Sequence, residues 1–131
     1  MELLTNNVRN DLIITAVEGG SNYWYFLNEK TCNIISKYKG IRKDFHGDYF
    51  NGTFSEAILT AIMEDRKLIV HDIENEDEIL GCLSKDSIEK GEEIMYNKYP
   101  QHFANILNEN WDAETADVWF QLCVMGELVF G

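Results

Sequence analysis

Three histidines, three cysteines and many carboxylates are the side chains in this sequence that could do chemistry. His71 and Asp72 stand side by side, as in metal phosphohydrolases that share a cation between such a pair. Those enzymes need further His and Asp ligands and carry the pair on a helix. Here it follows the strand-like "KLIV", and only His46 and His102 remain as histidines. Asp72 therefore reads as the acidic exit of a strand, and no metal is expected. "FHGDYFNG" places His46 and Asp48 in a loop, where function is often carried. Turn chemistry alone accounts for Gly47, Asn51 and Gly52. Cys32, Cys82 and Cys123 are widely spaced and form no C-x-x-C, so they read as reduced thiols packed as small apolar groups. No G-x-S-x-G, G-x-G-x-x-G or P-loop occurs, and no cysteine has a histidine beside it. No cofactor is implied.

A second candidate is "EGGSNYWYF", residues 18–26. Ser21 and Asn22 stand beside the aromatic residues Tyr23 and Trp24, a combination that suits small ligands and protein hot spots. With Arg42, Lys43 and His46 they form a ligand-binding reading, in which a small nucleotide signal is sequestered. Bases for phosphate are scarce, and Arg42 and Lys43 are the best of them. The structural alternative is that Gly19 and Gly20 end a helix, glycine taking positive φ without strain. A hairpin turn at the same two glycines is the rival.

Charge is the strongest global signal. The 131 residues carry a formal net charge of −12. Residues 1–63 hold seven acids and six bases, whereas residues 64–131 hold sixteen acids and five bases. Such a surface repels nucleic acid and anionic lipid and attracts a basic protein. Plain solubility is the blander explanation. The exposed candidates for partner binding are Asp72, Glu74, Glu76, Asp77 and Glu78, with Glu89, Glu92 and Glu93 as a second patch. "MELLTNNVRN" has an early acid and no apolar h-region, and every apolar run is shorter than a bilayer needs. The expectation is a soluble, cytoplasmic protein.

The elements that must position these residues fit one α+β domain over residues 1–131, a small antiparallel or mixed sheet with about four to five helices, mainly helical in its C-terminal half. Asn10 or Asp11 caps a first helix through "DLIITAVE", for which a strand is the rival. "SNYWYFL" reads as a strand, with Tyr23 and Tyr25 on one face and Trp24 and Phe26 on the other. "TCNIISKYKG" continues as a strand or irregular piece, and "IRKDFHGDYFNGTF" as a loop with at most a short strand. Thr53 and Glu56 have capping-box spacing before a helix. "KLIVHDIE" is a strand, "NEDE" a turn, and "ILGCL" a returning strand. Asp86 and Glu89 form another box-like pair, before a helix with Ile88, Gly91, Met95 and Tyr99 on one face. Pro100 opens the next helix. Asp112 caps a last one, which Gly126 ends, and "ELVF" adds a terminal strand. That last helix, with Val118, Trp119, Phe120, Leu122, Cys123, Val124 and Met125, is apolar on most sides. It is either central to the fold or the contact of a two-fold homodimer.

"TAVEGGSNYW", "HDIE" and "YPQHFANILNENWDAETADVWFQLCVMGELVFG" resemble a family of small proteins encoded by phages and prophages, over about Asp11 to Gly131. The resemblance brings no assigned activity, so no catalytic residue carries over. It implies the bacterial cytoplasm during infection or lysogeny. Small acidic phage proteins are often inhibitors of host systems, and some occupy the nucleic-acid channels of host nucleases, CRISPR effectors among them. Three readings compete. The first is an acidic accessory protein that binds a basic host or phage protein, as an anti-CRISPR does. The second is the ligand-binding protein above, and the third is a small enzyme.

Overall fold

Two of the capping signals start helices as their spacing requires. In the computed structural model, which describes residues 3–43, 47 and 49–131, the Glu56 carboxylate accepts from the Thr53 backbone N–H at 3.1 Å and from its hydroxyl at 2.8 Å. The Asp112 carboxylate accepts from the Thr115 N–H at 3.2 Å. The described residues form α1 (Asn6–Thr15), a π-helical turn (Ala16–Gly20), β1 (Tyr25–Phe26), α2 (Glu29–Ser36), β2 (Gly40–Lys43), β3 (Tyr49–Gly52), α3 (Phe54–Met63), β4 (Leu68–Asp72), β5 (Ile79–Leu83), α4 (Lys85–Lys98), α5 (Pro100–Leu107) and α6 (Ala113–Met125). The fold is α+β. β1, β4 and β5 make an antiparallel sheet with β4 central, and β2 and β3 make a separate hairpin.

α6 is the centre of the fold. Every residue from Thr115 to Val124 is buried, because α1, α4, α5, β5 and the π-helical turn all pack on it. Two glycines let neighbours come close. A methyl group at Gly91 of α4 would lie 2.6 Å from the Cys123 nitrogen, and one at Gly81 of β5 would collide with the Val124 carbonyl oxygen. The apolar side chains of α6 from Val118 to Val124 are thus covered inside the chain, whereas Leu128 and Val129 beyond it are exposed.

Several local expectations need correction. α1 starts earlier than Asn10, because Thr5 is its cap and accepts from the Val8 N–H at 3.3 Å. Gly19 and Gly20 do end the helix, but through a π-helical turn and without positive φ. Gly20 is needed for proximity, since a Cβ there would lie 2.8 Å from the Ala113 carbonyl oxygen. Glu29–Ser36 form a helix, not a strand, because Asn28 caps it by accepting from the Thr31 N–H at 3.0 Å. α4 is capped by Ser84 and Ser87, whose hydroxyls accept each other's backbone N–H at 3.2 and 2.8 Å. The Asp86–Glu89 pair is not its box. "ELVF" forms no strand; the Gln121 side chain satisfies the backbone N–H groups of Val129 and Phe130, each at 3.0 Å.

Candidate functional site

The turn between β4 and β5 carries the densest run of acids in the sequence, Asp72, Glu74, Glu76, Asp77 and Glu78. Asp72 organises it. Its carboxylate accepts from the Glu74 N–H at 2.8 Å, and its own N–H donates to the Glu78 carbonyl at 3.0 Å. Asn75 N–H to Asp72 O at 3.2 Å and Glu78 N–H to Asn75 O at 2.9 Å close the loop. An Asx-type bond of this kind fixes a turn without needing a glycine. Glu74, Glu76, Asp77 and Glu78 are left exposed. Ile73 and Ile79, at 43% and 62% exposure, stand beside them.

This hairpin tip meets the other stretch singled out by the sequence. The Ile73 N–H donates to the Trp24 carbonyl at 2.9 Å, so the turn of residues 21–24 is its neighbour. That turn is not a strand: the Trp24 N–H donates to the Ser21 carbonyl at 3.1 Å. Ser21 and Trp24 are buried and Asn22 and Tyr23 exposed. Asp117 of α6 explains the inward pair. Its carboxylate accepts from the Ser21 hydroxyl at 2.6 Å, the Trp24 indole N–H at 2.8 Å, the Tyr23 hydroxyl at 2.5 Å and the Gln121 amide at 3.1 Å. A buried carboxylate with no cation beside it among the described residues must be held by several donors, and four serve it here. Burial of the Tyr23 hydroxyl, and then its bond to Asp117 and that group's charge, push its pKa up to about 12. Ser21, Tyr23 and Trp24 of the set proposed for ligand recognition are therefore spent on Asp117, and Asn22 is left exposed. Of the rest of that set, Lys43 is exposed at the end of β2, the Arg42 side chain is not among those described, and His46 lies outside the described residues.

The second acidic patch divides. Glu89 and Glu93 are exposed on α4. Glu92 is 1% exposed and so is not part of any docking surface. It forms a two-pronged ion pair with Arg9 of α1 at 2.6 and 2.8 Å, and accepts from the Trp119 indole at 3.1 Å. The signal for this was in the spacing. Glu92 falls between Gly91 and Met95 on the stripe that faces α6, and Arg9 lies three and four residues before buried Leu12 and Ile13.

His71 is buried in β4, and its Nδ1 has no hydrogen-bond partner among the described residues. Among the described residues no group of three His, Cys, Asp or Glu side chains is placed to hold a metal ion. Burial raises the pKa of all three thiols, Cys123 most, against the depression that marks a reactive cysteine. Among the described residues no helix is long and apolar enough to cross a membrane. No family model matches the chain, and no curated protein or solved structure matches it at a significant level of similarity.

Proposed function

We propose that this chain is an interaction protein that binds a basic protein surface through the β4–β5 hairpin tip. The observation that carries the reading is the tip itself. Glu74, Glu76, Asp77 and Glu78 project from a turn closed by its own hydrogen bonds, beside exposed Ile73, Ile79 and Tyr23. A preformed turn loses little further entropy on binding. Acids give steering and specificity, and the adjacent apolar side chains give an anchor. A protein that itself binds nucleic acid presents the complementary basic face, and this acidic surface would compete with phosphate for it. The setting that goes with the proposal is a bacterial cytoplasm during phage infection, and the consequence is inhibition of a host defence protein such as a CRISPR nuclease. The ligand-binding reading loses support because Ser21 and Trp24 point into the core.

The test is capture from a bacterial lysate, with the partners identified by mass spectrometry, in parallel with the variant E74Q/E76Q/D77N/E78Q. Basic proteins should be captured by the wild type. The variant should bind the purified partner at least about tenfold more weakly, and the wild-type affinity should fall as salt rises. An unchanged affinity in the variant would sink the hairpin as the contact.

A further inference from the structure

The outer face of α4 and the start of α5 form a groove that no described residue fills. Leu3, Glu89, Glu93, Tyr96 and Asn97 line a depression of about 470 Å³. Tyr96 and Asn97 also line the next one, of about 380 Å³, which runs on past Pro100 and Phe103 to Leu107. Tyr96 and Leu107 are 56% and 59% exposed, large apolar faces left uncovered. The Tyr96 ring stands edge-on to Phe103 at 5.4 Å between centroids and 84° between planes, so it is held in place rather than free. The break between α4 and α5 at Tyr99 and Pro100 sets the two walls.

The rim is acidic and uncompensated. Glu89 and Glu93 lie one helical turn apart, and neither forms an ion pair with a described base. Like charges at that spacing repel, and an incoming cation relieves them. Apolar floor and acidic rim together specify the occupant. Anionic lipid and nucleic acid are repelled by the rim. An acidic or neutral helix leaves it unpaired. A basic amphipathic helix satisfies both, with a leucine- or phenylalanine-type side chain between Tyr96 and Leu107 and lysines or arginines about one and two turns away at Glu93 and Glu89.

We infer that the α4–α5 groove is a docking site for a basic amphipathic helix of a partner protein. This rests on the reading of the chain as a binder of basic proteins and adds a second face, separate in sequence from the hairpin tip.

The probe is a synthetic helical peptide with leucines along one stripe and lysines flanking that stripe, where they can reach Glu89 and Glu93, compared with its scrambled isomer of equal charge. Binding is read by fluorescence anisotropy and by amide chemical shifts. The amphipathic peptide should bind at least about tenfold more tightly than the scrambled one and shift Tyr96, Asn97 and Leu107. E89Q/E93Q and, separately, Tyr96→Ser should each weaken it about tenfold; E89Q/E93Q should leave the thermal melt unchanged, since both carboxylates are exposed, and Tyr96→Ser should lower it only slightly, through the lost ring contact with Phe103. The hairpin variant E74Q/E76Q/D77N/E78Q should bind it within about twofold of the wild type. Equal binding of both peptides, shifts confined to residues 72–79, or no binding at all overturns the groove. Loss of peptide binding in the hairpin variant alone overturns the groove and leaves the hairpin reading standing. Groove binding with an unchanged partner affinity in the hairpin variant does the reverse.

Discussion

Glu92 and Glu93 are adjacent in the chain and opposite in environment. Glu93 is in water, where its charge is free to meet a partner. Glu92 is 1% exposed and its charge is answered by Arg9. The same division separates Asp117 in the core from the acids of the hairpin tip. Acidity in this protein is therefore two things. Among the described residues most of the carboxylates make a surface, while Glu92 ties α4 to α1 and α6 and Asp117 ties α6 to the turn of residues 21–24. The two interior acids differ from each other as well. Glu92 is compensated by a cation, and Asp117 by four neutral donors.

The largest effect should separate the neighbours. Glu92→Ala removes the carboxylate that answers the buried Arg9 charge and leaves that guanidinium only neutral acceptors such as Asn6, and should destabilise the fold by about 3–5 kcal/mol. Glu93→Ala should change stability by no more than about 0.5 kcal/mol. Urea denaturation of both variants measures the difference, and similar midpoints would erase it. Replacing both partners by apolar side chains, Arg9→Met with Glu92→Leu, should recover much of the loss, because no charge is then left unanswered.

Asp117 should come second. Asp117→Ala removes the acceptor for Ser21 and Trp24, both buried, and should cost about 2–4 kcal/mol through unsatisfied donors. The loss is smaller than at Glu92 because no net charge is stranded, and because half-exposed Tyr23 can turn to water. A loss as large as that of Glu92→Ala would show that the kind of compensation is irrelevant.

What could be read in advance follows the reach of each interaction. The box at Thr53, the cap at Asp112, the Pro100 start and the β4–β5 hairpin depend on residues within a few positions, and all were legible. Residues 21–24 were not. In a strand, Ser21 and Trp24 would face opposite ways; in a turn both reach Asp117, which lies more than ninety residues further on. α2 was missed because Thr31, Ile34 and Ile35 favour strands. The Asn28 cap and the burial of Thr31 and Ile35 one turn apart prevailed. The acidic hairpin was visible as a run of charge, but the loss of Glu92 from the second patch needed its helical phase to be followed to Arg9. The groove over Tyr96 and Leu107 could not be foreseen, since it arises from the angle between two helices.

The smallest effect belongs to Tyr23, which joins the two regions: its ring is 48% exposed while its hydroxyl donates to buried Asp117. In the folded chain its pKa is pushed from 10.0 up to about 12. The unfolded chain releases the proton near the lower value, and the folded chain keeps it to the higher one. Between the two, the unfolded state binds fewer protons, so stability falls as pH rises. The contribution is complete below about pH 10 and lost as pH approaches 12. Tyr25 has the same slope, since burial pushes it to about 12 as well. Tyr23→Phe should therefore flatten the alkaline decline in part and leave the share of Tyr25. With the ring so exposed, solvent screening should hold the difference below about 1 kcal/mol. Urea denaturation of the wild type and variant at intervals from pH 9 upward would resolve it. Identical slopes would mean that the hydroxyl does not stay on Asp117, and that the acidic surface and the buried carboxylate are uncoupled.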